Sequence, residues 1–166
     1  MKVLSLILLG TNLGERELLL DRAIAMIGER CGVLLSSSKI YETEPWGFIA
    51  DNNFLNQVVL IETDLEPHVL LKELLSIEAA LGRQRNENIK GYSSRPMDLD
   101  VLYYGDLIIN DEDLILPHPR LHLRRFTLLP LCDVAPDFEH PVFKKTNKNL
   151  LEECEDVSEV TLLVRS

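Results

Sequence analysis

Arg95, Asp98 and Asp100 fall together in the segment Arg95-Pro96-Met97-Asp98-Leu99-Asp100-Val101-Leu102-Tyr103-Tyr104. Residues 98–104 read as a strand, in which alternate side chains share a face. Asp98 and Asp100 then project together, and Leu99 and Val101 point the other way. Their Cα atoms would stand about 6.5–7 Å apart. Two carboxylates at this spacing can converge on one or two hard divalent cations about 3.5–4 Å apart, as phosphoryl transfer requires. Arg95 adds a planar guanidinium fork suited to phosphate oxygens. The plainer reading is a strand end with two solvated aspartates and an arginine that pairs with them.

Two further groups of residues could do chemistry. In Pro117-His118-Pro119-Arg120, followed by Arg124-Arg125-Phe126, prolines flank the histidine and display its ring from a stiff loop. A neutral imidazole there can hydrogen-bond a phosphate or ribose, or it can simply be satisfied by a backbone carbonyl. In Thr43-Glu44-Pro45-Trp46-Gly47 with Phe54-Leu55-Asn56, Phe54 and Asn56 share a strand face. A ring beside an amide suits a flat heteroaromatic ligand, since the ring stacks and the amide reads donor and acceptor edges. The same two residues also suit an ordinary strand with one core aromatic and one edge amide.

These groups need a frame. Residues 3–9 form a nearly continuous apolar run, as expected of a strand buried on both faces. Asn12 is a candidate N-cap for a helix whose stripe is Leu19, Leu20, Ala23, Ile24 and Ile27. Residues 34–41 and 54–62 read as strands. Pro67 opens a second helix with Leu70, Leu71, Leu74, Leu75, Ile77 and Leu81 inward, stopped by Gly82. A long loop, 83–96, leads to the aspartate strand, and Gly105-Asp106 predicts a hairpin into residues 107–110. Near 126–131 a short helix is broken by Pro130, and a short acidic helix near 147–155 precedes a last strand at 159–164. The fold class is α+β, a ferredoxin-like βαββαβ core with an extra C-terminal hairpin and short helices, in one domain over 1–166.

At 166 residues and 46% hydrophobic, the chain suffices for one compact domain. Its net charge of −10 and pI near 4.8 argue against a nucleic-acid or anionic-membrane binder. Arg83, Arg85, Arg95, Arg120, Arg124 and Arg125 nevertheless cluster around the aspartate pair. A basic cluster in an acidic chain points to a small polyanionic ligand rather than a polymer. Cys31, Cys132 and Cys154 form neither a Cys-x-x-Cys nor an even set, so a reducing cytoplasm is expected. The apolar start lacks a signal-peptide cleavage pattern, and no run reaches the roughly 20 residues of a membrane span. No glycine-rich phosphate cradle is present.

Taken in order, Gly10-Thr11-Asn12-Leu13-Gly14, Tyr41-Glu42-Thr43, Phe54-Leu55-Asn56, Glu78 to Arg83, Arg95-x-x-Asp98-Leu99-Asp100, Pro117-His118-Pro119-Arg120 and Arg124-x-Phe126 resemble the 6-hydroxymethyl-7,8-dihydropterin pyrophosphokinase family. The resemblance runs from Leu6 to Pro136. It implies an ATP-dependent transfer of pyrophosphate to a pterin alcohol, with AMP released, in folate biosynthesis. Asp98 and Asp100 would hold two Mg²⁺ ions. Arg83, Arg85 and Arg95 would act in catalysis and, with Glu78, His118 and Arg124, contact the nucleotide. The pterin would lie between Phe54 and Phe126, read by Asn56, Thr43, Glu44 and Trp46. Residues 83–96 would close over the bound substrates. The chain departs from the family at Gly91-Tyr92-Ser93-Ser94, where Trp-Gly-Pro is frequent, and at Glu44, where proline is frequent. The partners implied are ATP and the pterin, with no nucleic acid, membrane or obligate protein partner. A nucleotidyltransferase, which would release pyrophosphate, and an RNA-recognition module are the competing readings.

Overall fold

The computed structural model describes residues 2–12, 14–44, 53–82 and 97–164. The apolar run at the start of the chain becomes β1 (Val3–Thr11), a central strand. It pairs antiparallel with β4 (Phe54–Thr63) on one side and with β5 (Asp98–Tyr104) on the other. Beyond β4, and antiparallel to it, lie β2 (Val33–Ser37) and β3 (Tyr41–Thr43), and β8 (Thr161–Leu162) pairs with β3.

Alternation along β1 sends Ile7 and Leu9 to one face of the sheet and Leu6 and Leu8 to the other. Helices cover both faces, which is why the strand is apolar throughout instead of alternating. On the first face, α1 (Arg16–Arg30) buries Leu20, Ala23 and Ile27, and α2 (Pro67–Ala80) buries Leu70, Leu74 and Ile77. On the second, α3 (Arg125–Val134) and α4 (Asn147–Glu153) bring Leu128, Leu131 and Leu150 against Leu6, Leu8, Val58 and Leu102. The turn from α1 to β2 needs glycine at position 32. A Cβ there would lie 2.2 Å from the Glu62 carbonyl oxygen of β4.

The structure corrects several expectations. β1 runs on through Thr11, so the chain turns later and α1 begins at Arg16, with Glu15 rather than Asn12 at the N-cap; Asn12 is fully buried. The strand expected at 34–41 is two strands. β2 carries a register shift between Leu34 and Ser36 and ends at Ser37, after which Ser38 grips Val58 through both its N–H (2.8 Å) and its hydroxyl (2.9 Å). Leu75 is exposed, because it lies off the stripe formed by Leu70, Leu74 and Ile77. Residues 107–110 do not pair with β5. Instead, β6 (Ile109–Asn110) pairs with β7 (Ile115–Leu116), and the Asp111 carboxylate closes their turn by accepting the N–H groups of Asp113 (3.0 Å) and Leu114 (2.8 Å). Pro130 lies inside α3 without breaking it. Its missing N–H forfeits only the bond to the carbonyl of Phe126, near the helix start.

The C-terminal segment is integral to the second face. The Tyr103 hydroxyl of β5 donates to Asn147 Oδ1 at 2.7 Å, Asn147 Nδ2 donates to the Ala135 carbonyl at 2.8 Å, and the Tyr103 ring packs on Phe138. Tyr103→Phe would leave the Asn147 acceptor buried and unsatisfied. A loss of about 1–3 kcal/mol is expected in denaturant unfolding.

Candidate active site

The sheet register assembles the site. Gly10 on β1 stands between Asp98 on β5 and Asn56 on β4, and Leu8 stands between Asp100 and Val58. Directly paired residues of antiparallel strands share a face, so Asp98, Asp100 and Asn56 rise from the same side of the sheet, and Phe54 joins them two residues before Asn56. Thr43 pairs with Phe54 from β3, and its Oγ1 accepts from Asn56 Nδ2 at 3.1 Å. A side chain at Gly10 would come within 3.5 Å of Asn56 Oδ1, so this amide oxygen hangs over the glycine. From above, Arg124 at the N-cap of α3 and Phe126 in its first turn close a cavity of about 150 Å³ over Leu8 and Gly10. The Arg124 guanidinium lies 5.5 Å from the centre of the Phe126 ring.

A second cavity, of about 260 Å³, opens on the other side of Asp100, where Leu71, Leu99, Ile115, His118 and Pro119 line it. The His118 N–H donates to the Leu102 carbonyl at 2.9 Å, docking its loop along β5. His118 Nδ1 accepts the Arg120 N–H at 3.1 Å, so the neutral ring carries its proton on Nε2. Burial, reinforced by the charges of Arg124 and Arg120, pushes the His118 pKa down to about 4. The imidazole is therefore a neutral hydrogen-bond donor at physiological pH. Arg124 is also pulled below its ordinary value by burial and by Arg120, and the facing Asp100 opposes that shift.

Among the described residues β5 pairs with a strand on one side only, β1. Glu78 of α2, nearly fully buried, supplies one acceptor: its Oε2 takes the Leu99 N–H at 2.7 Å. It thereby fixes the backbone between the two aspartates and lines neither cavity.

The structure thus brings Thr43, Phe54, Asn56, Asp98, Asp100, Arg124 and Phe126 into one cavity and His118 into the next, with Asp100 common to both. Glu44 is exposed just past β3. Trp46, Arg83, Arg85, Arg95 and the whole 83–96 segment lie outside the described residues. Sequence reasoning misses Leu8 and Gly10 as the cavity floor. The available signal was a glycine within an otherwise apolar strand, which marks a place where another group approaches the backbone closely. A larger cavity, about 700 Å³, lies between His122, Phe143 and Leu150 and contains none of the candidate residues.

Among the described residues no group of three or more His, Cys, Asp or Glu side chains could hold a metal ion. Asp98 and Asp100, lining one cavity with the Arg124 guanidinium, are a donor set that fits Mg²⁺, which takes one or two carboxylates and completes its shell with water and substrate phosphates. They do not fit a structural zinc or calcium cage.

Two carboxylates in one cavity, one of them shared with a second cavity, stand with a guanidinium and a neutral imidazole nearby, a combination that could serve group transfer on a polyanion. The chain belongs to the 7,8-dihydro-6-hydroxymethylpterin-pyrophosphokinase (HPPK) family, which it matches over residues 6–136. The 2-amino-4-hydroxy-6-hydroxymethyldihydropteridine pyrophosphokinase of Porphyromonas gingivalis is 43% identical to it over 134 residues, 80% of this chain and 90% of the relative. The corresponding protein of Methylorubrum extorquens is 42% identical over 130 residues, 78% of this chain and 80% of the relative. Plasmodium falciparum HPPK-DHPS, solved with pterin and p-hydroxybenzoate, superposes with a TM-score of 0.73 at 17% identity, a likeness of fold covering 92% of this chain and 42% of the solved one. The chain therefore spans less than half of that larger protein.

Two outcomes are expected from this geometry. Glu78→Ala, which strands the buried Leu99 N–H, should cost about 1–3 kcal/mol in thermal or denaturant unfolding, and Glu78→Gln, which keeps an acceptor, should cost less. For His118, NMR should show the ring titrating near pH 4 instead of its ordinary 6.5. Because the folded value lies below the unfolded one, the stability this residue contributes is complete above pH 6.5. It is lost as pH falls towards 4, by at most about 3 kcal/mol, and His118→Gln should remove that part of the acid dependence.

Proposed function

We propose that this protein transfers pyrophosphate from ATP to the hydroxymethyl group of 6-hydroxymethyl-7,8-dihydropterin, releasing AMP, as a step in folate biosynthesis. Family membership supports the reaction. The observation that carries the residue assignment is Asp100, shared by two cavities that differ in chemistry. One is aromatic and amide-lined and suits the pterin. The other presents a neutral imidazole donor and suits the nucleotide. The reacting phosphate belongs between them.

In this assignment the rings of Phe54 and Phe126 sandwich the pterin. Thr43 fixes the amide of Asn56, whose Oδ1 over Gly10 reads the pterin edge. Glu44 and Trp46 are assigned to the same substrate by the family likeness. On the other side His118 donates from Nε2 to the nucleotide, and Arg124 neutralises phosphate charge. Arg83, Arg85 and Arg95 are assigned further phosphate contacts, also by likeness. Glu78 serves the nucleotide side through Leu99 rather than by contact. Asp98 and Asp100 would hold two Mg²⁺ ions, which when bound neutralise the phosphates and polarise the transferred group. The pterin oxygen attacks the β-phosphorus in line and AMP departs. The protein's share of the work is to orient both substrates and exclude water.

The core is read as a ferredoxin-like βαββαβ unit in which β2 and β3 together make the second strand. The antiparallel order β5-β1-β4, with β2 and β3 beyond β4, supports that reading. The chain acts as one domain on small-molecule substrates. Free cysteines at 31, 132 and 154 support a cytoplasmic setting, and no helix among the described residues is long and apolar enough to cross a membrane.

The test is to incubate the protein with ATP and Mg²⁺, with and without the pterin alcohol, and to identify the products. AMP should form only when the alcohol is present; release of pyrophosphate would instead indicate nucleotidyl transfer. Asp98→Asn and Asp100→Asn should each lower turnover by about a hundredfold or more, roughly 2.7 kcal/mol, with the fold intact. Near-normal turnover in either variant would remove these residues from the metal site.

A further inference from the structure

Arg16, the first residue of α1, belongs to none of the site groups described above, yet its side chain reaches two strands that carry them. A single nitrogen, Nη1, donates to Glu42 Oε2 at 2.9 Å and to the Asn53 carbonyl at 2.8 Å. Glu42 precedes Thr43 on β3, and Asn53 lies just before β4, next to its first residue Phe54. The guanidinium therefore clamps both strands one residue away from the Thr43–Phe54 pair. The Arg16 and Glu42 side chains are each about three-quarters buried, at 26% and 27% exposure. A charge-assisted pair in such surroundings is stiffer and less screened than a surface pair.

We propose that Arg16 is a positioning residue for the pterin half of the site. The proposal rests on the pterin reading of the cavity that holds Phe54 and Asn56. β3 is three residues long and its ladder to β4 spans only Tyr41 to Thr43. A ladder that short fixes orientation weakly by itself. β8 and the Tyr41–Asp133 hydrogen bond (2.9 Å) hold the Tyr41 end of β3, and the Arg16 clamp adds a constraint at the Thr43 end by tying the ends of both strands to the first turn of α1, whose Leu20, Ala23 and Ile27 are locked in the core. Asp98 and Asp100 stand on β5, across β1, and have no part in this clamp. Its loss should therefore loosen the pterin contacts and leave the metal and nucleotide side in place. Since one nitrogen makes both bonds, a lysine ammonium with three donors can replace it, whereas methionine keeps only the apolar stem.

Steady-state kinetics of Arg16→Met, Arg16→Lys and Glu42→Gln, with both substrates varied, test this directly. Arg16→Met should raise KM for the pterin about tenfold or more, with kcat and KM for ATP within about threefold of wild type. Arg16→Lys should recover most of that loss, and Glu42→Gln should fall between. Lys145→Met, which breaks the remote Lys145–Glu153 pair, serves as the ion-pair control and should change nothing. Equal losses for both substrates, a fall in kcat alone, or no effect would overturn the proposal. Amide hydrogen exchange is read in parallel. In Arg16→Met the amides of Thr43 and Phe54 should exchange at least about tenfold faster while those of β5 stay unchanged, and no acceleration overturns the clamp even if the variant is inactive. If the wild-type chain releases no AMP with the pterin, the functional reading fails and the pterin role with it; accelerated exchange at Thr43 and Phe54 would then still show the clamp itself.

Discussion

The hydrogen-bond ladder that sets Gly10 between Asp98 and Asn56 fixes where the other sheet-borne candidate groups stand. A strand has a period of two, so slipping either neighbour by one residue would turn its polar groups to the opposite face and bring Leu99 or Leu55 out in their place. That slip is opposed from both sides of the sheet. Ile7 and Leu9 are locked under α1 and α2, and Leu6 and Leu8 under α3 and α4. The cost of exposing these side chains, about 1.5–3 kcal/mol each, holds the carboxylates and the amide in register. The absence of a side chain at Gly10 keeps the gap between them open.

Much of this was legible in the sequence because it follows from short-range periodicity. The aspartate pair and the Phe54–Asn56 pair declare their shared faces by alternation, the β1 run declares burial on both faces by its nearly unbroken apolarity, and the structure brings the two pairs into one cavity. The helical stripes of α1 and α2 were legible for the same reason, apart from Leu75. What escaped was set by contacts remote in sequence. Nothing near residue 36 announces that Ser38 will bond Val58 and split a strand. The turn between β6 and β7 depends on one carboxylate, Asp111, whose role is invisible in an acidic stretch. Glu78 stands in the segment that carried the family likeness, but its bond to Leu99 depends on how α2 packs beneath β5. Nothing in the sequence around Arg16 announces its bonds to Glu42 and to the Asn53 carbonyl.

In the proposed reaction an acidic chain handles a polyanion and must concentrate its positive charge without scattering it. Around Asp100 few groups would do this. Arg124 is partly buried, so its attraction for an anion is screened less than that of an exposed arginine, and its own desolvation is offset by Asp100. The same guanidinium, with that of Arg120, helps keep His118 neutral. Neutrality is useful here. An imidazolium beside two arginines would add a third like charge, whereas a neutral ring with Nδ1 committed to the Arg120 N–H offers a single directed donor from Nε2. Charge and hydrogen-bond direction are thus assigned to different side chains. In the proposed reaction, arginine and any bound divalent ions would answer the charge of the phosphates, and histidine would answer their orientation. The division is physically enforced, since protonating His118 near neutral pH would cost both its burial energy and the repulsion of its neighbours.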